Sequence, residues 1–278
     1  MKIAITGATG YIGTHICSSF DNSLIDFVRL IRQPTKQNDR FYDLTSHNID
    51  PYLFDDIDVL IHAAAYVHKD NDKKKHKELN FESTKILFDL AAKNNVNIIF
   101  LSTVGVYGKV SNKTIIDESE KAMPLNEYSK AKLDCENYLH LKFIESNIKY
   151  TIFRLPLVIG KNAPGTFGVL EKLVLLGFPL PFKNINNLRS VICVNRFSNY
   201  IAEFCNENSF FNKSFIVKNK NDISLDQMID FICNVNKTKI KKFYFPIFLL
   251  KTSFKIIGKK KQAQQLFDSL RFNASIEI

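Results

Sequence analysis

Several features that would settle the class of a chain at once are missing here, and each absence narrows the field. Five cysteines, Cys17, Cys135, Cys193, Cys205 and Cys233, are scattered without a C-x-x-C pair. That argues against a zinc ribbon or a dithiol redox motif and predicts free, buried thiols in a reducing compartment, with no metal site. No apolar run reaches the length of a membrane span, since the longest, Phe243 to Ile257, is broken by Pro246, Lys251 and Lys255. The opening run meets Gly7 too soon for a secretory leader, so a cytoplasmic protein is expected. Repeats and low-complexity tracts are absent, and no basic stretch alternates with aromatics as a nucleic-acid surface would. The net charge of +10 rests on dispersed lysines and suits an anionic small molecule equally well. With 45% hydrophobic and 24% charged residues, the 278-residue chain has the composition of a soluble globular protein.

What is present begins at once. Lys2 to Thr6 predicts a short strand, followed by Gly7-Ala8-Thr9-Gly10-Tyr11-Ile12-Gly13 and a helical run to about Phe20. A strand, a glycine turn and a helix N-terminus make a phosphate cradle, because free backbone N–H groups and the helix dipole face the anion. Gly7 permits the turn, Gly10 admits a pyrophosphate and Gly13 lets the helix pack closely. A strand from Ile25 to Ile31 ends at Arg32, where a dinucleotide fold meets the adenosine ribose. An arginine there, with Arg29 and Lys36 nearby, tilts the choice toward NADP over NAD. Asp43, with Leu44 beside it, is placed to meet the adenine amino group.

The alternation continues. A strand from Ile57 to His62 runs into Ala63-Ala64-Ala65, small residues that leave room for a cofactor at a strand's carboxyl end, and His68 follows as a candidate substrate contact. After a helix from about His76 to Asn94, a strand from Val96 to Leu101 ends in Ser102-Thr103, either of which offers a hydroxyl to a substrate oxygen. Tyr128 and Lys132 then lie four apart at the head of a helix running to about Ser146, so they share a face. A cation fixed beside a phenol lowers its pKa from about 10 toward the working range, which makes the pair a proton-transfer device. A last strand covers Lys149 to Leu155. Strand and helix alternating in this way predict an α/β fold, a doubly wound parallel (Rossmann) sheet.

Beyond Arg154 the text is richer in proline and glycine, with helical patterns near 166–176, 195–207, 225–234, 248–257 and 262–270. The expected organisation is a dinucleotide-binding domain over 1–155 and about 191–217. A smaller substrate domain over 156–190 and 218–278 is expected to cover the carboxyl edge of the sheet and leave a cleft.

Four features stand in one order: Thr6-Gly7-x-x-Gly10-x-x-Gly13, His62-Ala63-Ala64, Ser102-Thr103 before Val106-Tyr107-Gly108, and Tyr128-x-x-x-Lys132. Together they resemble the extended short-chain dehydrogenase/reductases, specifically the nucleotide-sugar epimerases, dehydratases and ketoreductases. Glu118, Pro124 and the Arg154 to Gly160 segment continue the likeness, which covers nearly the whole chain. The resemblance implies Thr103, Tyr128 and Lys132 as a catalytic triad, and Thr9, Tyr11, Ile12, His62, Ala63, Ala64 and Pro156 among the residues around NAD or NADP. It also implies Ser102, Arg154 and Arg189 near substrate, with Arg189 on the nucleotide diphosphate.

Departures refine the expectation. Sugar 4,6-dehydratases carry Asp and Glu directly after the catalytic threonine; here Val104 and Gly105 stand there, so dehydration is not expected. Asn195-Arg196 replace an acidic residue at a helix start, which weakens that cap. The family's further turn-rich tail does not follow Ile278, so one wall of the substrate pocket is expected to be abbreviated or reorganised. The subgroup most resembled is the UDP-N-acetylhexosamine 4-ketoreductases and 4-epimerases of surface-polysaccharide pathways. The leading expectation is reduction of a UDP-4-keto-6-deoxy-N-acetylhexosamine with NADPH, tipped by Arg32. The first alternative is a UDP-sugar 4-epimerase, and one of another class is a non-catalytic NAD(P)-binding sensor. A homodimer through the helices around Lys85 and Leu133 is implied, with Phe88, Leu139 and Phe143 either on that interface or in the core.

Overall fold

Residues Ile3–Thr6 (β1) and Val59–His62 (β4) show no polar alternation, so both faces of each must be covered, and all of them are buried. These strands lie at the middle of a parallel sheet in the computed structural model, which describes every residue except 47, 68–71, 112–113, 144–146 and 208. The other elements, in chain order, are α1 (Tyr11–Asn22), β2 (Phe27–Ile31), β3 (Asp39–Phe41), α2 (Lys73–Lys75), α3 (Ser83–Lys93), β5 (Asn97–Thr103), α4 (Glu127–Lys142) and β6 (Tyr150–Leu155). There follow β7 (Leu157–Ile159), α5 (Gly165–Leu175), β8 (Val191–Cys193), α6 (Val194–Glu207), β9 (Lys213–Lys218), α7 (Leu225–Val235), α8 (Ile247–Ile256), α9 (Lys260–Phe267) and β10 (Ile276–Glu277). The chain divides into two units: Met1–Gly108, Lys121–Leu155 and Asn195–Ile216 form one, and Lys109–Glu120, Pro156–Val194 and Val217–Ile278 the other.

In the first unit the strands run β3-β2-β1-β4-β5-β6-β9, all parallel. The order turns back between β1 and β4, the switch point at which open α/β sheets bind ligands. Register matters locally: Thr6 lies beside His62, and Ser102 and Thr103 lie beside Arg154 and Leu155. One face of the sheet carries a core of Ala4, Leu30, Leu60, Phe88, Phe100, Leu139, Phe143 and Ile152. Phe88, Leu139 and Phe143 are therefore core, which removes them as dimer-interface candidates.

The second unit is built around shorter pairings. β7 and β8 pair in parallel, Arg189 bridges Ile223 on one side and Leu270 on the other, and the end of β9 pairs with β10. A capping box of Ser224 and Gln227 starts α7, and edge-to-face ring contacts join α5 to α7 (Phe167 with Phe231) and α8 to α9 (Phe254 with Phe267). No helix among the described residues is long and apolar enough to cross a membrane.

Two local differences from the sequence reading stand out, while Ser102 and Thr103 end β5 as read. The single helix expected over 76–94 opens with a π-helical segment, His76–Glu82. Residues 109–120, read with the first domain, pack in the second unit, where Ile116 bridges Phe272.

Candidate active site

The β1–α1 turn can be made only with glycine at two of its positions. Gly7 has φ +67°, and a Cβ there would fall 2.6 Å from the Ala64 nitrogen. A Cβ on Gly13 would fall 2.1 Å from the Gly7 carbonyl oxygen. The Gly10 N–H closes the turn on that same carbonyl at 2.8 Å, and Gly10 caps α1 without a side chain. Thr9 and Gly10 are exposed and Tyr11 and Ile12 half-buried, so the start of a twelve-residue helix opens outward as an anion cradle. The adjoining Ala63 and Ala64 are half-buried, and the Ala64 N–H donates to Thr6 Oγ1 at 3.2 Å.

His62 plays a different part from the one read in sequence. Its imidazole is 1% exposed, with Nδ1 2.8 Å from Thr6 Oγ1 and Nε2 3.1 Å from Thr84 Oγ1. Burial, with Lys132 adding to it, holds its pKa well below the ordinary value, so the ring is neutral. It tethers the strand end to the following helix and keeps its side chain out of the cradle.

The basic group past β2 is also smaller than its sequence suggests. Arg29 is clamped by Asp39, Nε to Oδ1 and Nη2 to Oδ2 both at 2.7 Å. Burial alone would raise the Asp39 carboxyl, but Arg29 and the N–H groups of Thr35 and Lys36 override it and hold it well below the carboxylate range. Arg29 is thus neutralised within the sheet, and Arg32 is left exposed beyond it. Asp43 is half-buried and accepts the Thr45 N–H at 2.9 Å, while Leu44 leans on the core.

Helix α4 starts where Asn126 accepts the Ser129 N–H at 2.8 Å, with Glu127 in its first turn. Its buried stripe is unusually polar: Ser129, Lys132 and Glu136 share it with Ala131, Cys135 and Leu139. Lys132 Nζ donates to the Leu101 carbonyl at 2.9 Å and sits 4.4 Å from the centre of the Phe100 ring. Burial pushes its pKa down to about 8. Burial likewise pushes the Tyr128 phenol up to about 12. The sequence reading expected the lysine to lower the phenol; burial acts on it in the opposite direction.

One helical turn beyond Lys132, Glu136 is completely buried and accepts from the Ser102 hydroxyl and from Arg154 Nε at 3.0 Å. Arg154 Nη1 donates to the Tyr107 hydroxyl at 2.7 Å. In this network the Ser102 hydroxyl is taken up by Glu136. Thr103 is half-buried, and its Oγ1 accepts the Gly105 N–H at 3.0 Å, so its own proton is left to donate outward. Arg154, read as a substrate contact, has its charge matched by Glu136 instead. A Cβ on Gly105 would lie 2.5 Å from Ser129 Oγ, so this place is closed to an acidic side chain unless Ser129 moves.

Asn80 lies in the π-helical segment and is buried. Its side chain accepts the Tyr66 N–H at 2.7 Å, donates to the Tyr66 carbonyl at 2.8 Å and lies 3.0 Å from His76 Nδ1. The π-helical turn so brings the His76 ring edge-on to Tyr128, centroids 6.3 Å apart. Glu136 had a legible signal, falling four residues after Lys132; the His76 position had none, since a π turn breaks the helical period. His68 lies outside the described residues. In the second unit, Pro156 is buried and Arg189 is 9% exposed, Nη1 donating to the Asp268 carbonyl at 2.9 Å. Burial pushes Arg189 down to about 10.

Comparison with known proteins gives the family and the fold. The model of the NAD dependent epimerase/dehydratase family matches residues 3–175. UDP-glucose 4-epimerase of Vibrio cholerae is 25% identical over 287 aligned positions, covering 99% of this chain and 88% of that protein. Among solved structures, UDP-glucuronic acid 4-epimerase from Bacillus cereus in complex with NAD superposes with a TM-score of 0.73 at 22% identity, over 88% of this chain and 87% of that one. UDP-N-acetylglucosamine 4-epimerase from Bacillus cereus does so with a TM-score of 0.68 at 17% identity, over 96% and 98%. At these identities the structures speak for the fold.

Proposed function

The chain belongs to the NAD dependent epimerase/dehydratase family, and on that premise we propose that it interconverts the C4 epimers of a UDP-sugar with NAD as cofactor. The observation that carries this reading is the head of α4, where half-buried Tyr128 and buried Lys132 lie four residues apart, with a β5 that ends in Thr103. The glycine cradle fits the cofactor's pyrophosphate, since Thr9 and Gly10 are exposed and no side chain caps the start of α1. A bound nicotinamide supplies a reversible hydride acceptor for C4. Thr103 donates to the C4 oxygen and fixes it. Tyr128, acting as the phenolate, takes the proton from that oxygen as C4 is oxidised and returns it when C4 is reduced, so charge does not build up on the sugar. Lys132, an ammonium at neutral pH, favours the phenolate in the first half of the cycle. Arg189 is the second unit's candidate for the diphosphate.

Dehydration falls outside this reading because Val104 and Gly105 carry no carboxylate. The second reading, reduction of a UDP-4-keto-6-deoxy-N-acetylhexosamine with NADPH in surface-polysaccharide synthesis, is favoured by exposed Arg32. It loses Arg29, which Asp39 already engages. A cytoplasmic homodimer goes with either reading.

Incubating the purified protein with UDP-glucose and with UDP-N-acetylglucosamine, without added reductant, separates the two. Steady formation of the 4-epimer is expected. Failure of both conversions, together with NADPH consumption on the 4-keto sugar, would sink the epimerase reading. Were Tyr128→Phe to leave every activity intact, a binding role would replace catalysis.

A further inference from the structure

Residues 231–267 contain nine lysines and no aspartate or glutamate. Lys242 and Lys251 are paired with carboxylates outside this span, at Asp226, Asp230 and Asp268. Lys237, Lys239, Lys241, Lys255, Lys259, Lys260 and Lys261 are exposed. Within the same span lies α8, none of whose ten residues is buried. It is held from one side, by the Phe254–Phe267 ring contact and the Lys251–Asp268 pair. From that anchored helix and the residues on either side of it, large apolar side chains stand in solvent: Tyr244 is 69% exposed, Phe248 64%, Ile256 80% and Ile257 62%.

Water-exposed aromatic and branched aliphatic side chains grouped in one short segment mark a surface that is covered in use. The lysines around them say by what. A helix with Phe, Leu and Ile set among lysines fits the boundary of an anionic bilayer, where the apolar groups enter the acyl region and the ammonium groups reach the lipid phosphates. Nucleic acid matches the charge but leaves Ile256 and Ile257 with no base to stack on. A second copy of this chain would bring the same lysines face to face and repel. We propose that the α8 surface, from Phe243 to Lys261, docks the protein on an anionic membrane surface.

The test uses the full chain and vesicles of phosphatidylcholine, alone or with about one-third phosphatidylglycerol. Co-sedimentation with the anionic vesicles, weakening as salt rises, is the expected result. Phe248→Asp with Ile256→Asp should lower the partition coefficient at least about tenfold. Lys255→Glu with Lys259→Glu and Lys260→Glu should abolish the preference for anionic lipid. These side chains are exposed, so circular dichroism melts of both variants should match the parent. Three results would each overturn the proposal: no binding to either vesicle, binding that both variants leave unchanged, or a patch that instead binds a generic RNA or assembles copies of the chain.

Discussion

Helix α4 turns Ser129, Lys132 and Glu136 inward, whereas α8, rich in Phe, Leu and Ile, has no fully buried residue. Each departs from the rule that apolar residues go in and charged ones stay out, and each departure costs free energy. On α4 the cost is offset locally. Lys132 has the Leu101 carbonyl and the Phe100 ring, and Glu136 has Ser102 and Arg154. No such compensation stands over the outer side of α8 among the described residues. Inverted polarity inside a fold thus points to chemistry, and inverted polarity on its surface points to a partner.

The comparison can be broken at its strongest point first. Tyr128→Phe removes the proton carrier while keeping the ring, and turnover of a UDP-sugar should fall by about a thousandfold with NAD affinity retained, read by steady-state kinetics beside a binding titration. Glu136→Gln leaves the Arg154 guanidinium without its counter-charge in a buried site. Chemical denaturation should show a loss of about 3 kcal/mol. An unchanged midpoint would mean that the network is not what pins α4 to the sheet.

Lys132 gives a pH signature. Its folded pKa of about 8 lies below the ordinary 10.5, so between those values the unfolded chain binds more protons than the folded one. Stability attributable to this group therefore rises with pH across that window, by up to about 1.4 kcal/mol per unit, and is lowest below it. Lys132→Met should lack that slope, which denaturation of both proteins at several alkaline pH values would reveal. The smallest effect belongs to α8: Phe248→Ser should change unfolding stability by less than about 0.5 kcal/mol, since the side chain packs little in the free protein. A large loss there would make α8 an ordinary packed helix and remove the contrast.

Much of the fold was legible because burial on both faces writes itself as unbroken apolar runs: β1, β4, β5 and β6 were placed within a few residues. β3 and β9 were not drawn as strands from their sequence. β3 is three residues long and none of its residues is buried, and the first residues of β9 are not buried, so the signal there is weak. The glycine cradle and the Tyr128–Lys132 pair were equally legible, one fixed by backbone conformation and the other by helical spacing. The division of labour between Ser102 and Thr103 was not. It depends on Glu136 coming from a helix 34 residues away, across the register that sets Ser102 beside Arg154.

By itself the sequence determined what is local: where the backbone must be glycine, which residues four apart share a face, which runs must be covered, and the absence of carboxylates after Thr103. Tertiary structure alone decided how charge is shared. It gave Arg29 to Asp39 and Arg154 to Glu136, and made His62 a neutral tether. The physical reason is that spacing along a chain fixes geometry over one or two turns, whereas desolvation and ion pairing depend on whatever the fold brings within a few ångströms from elsewhere.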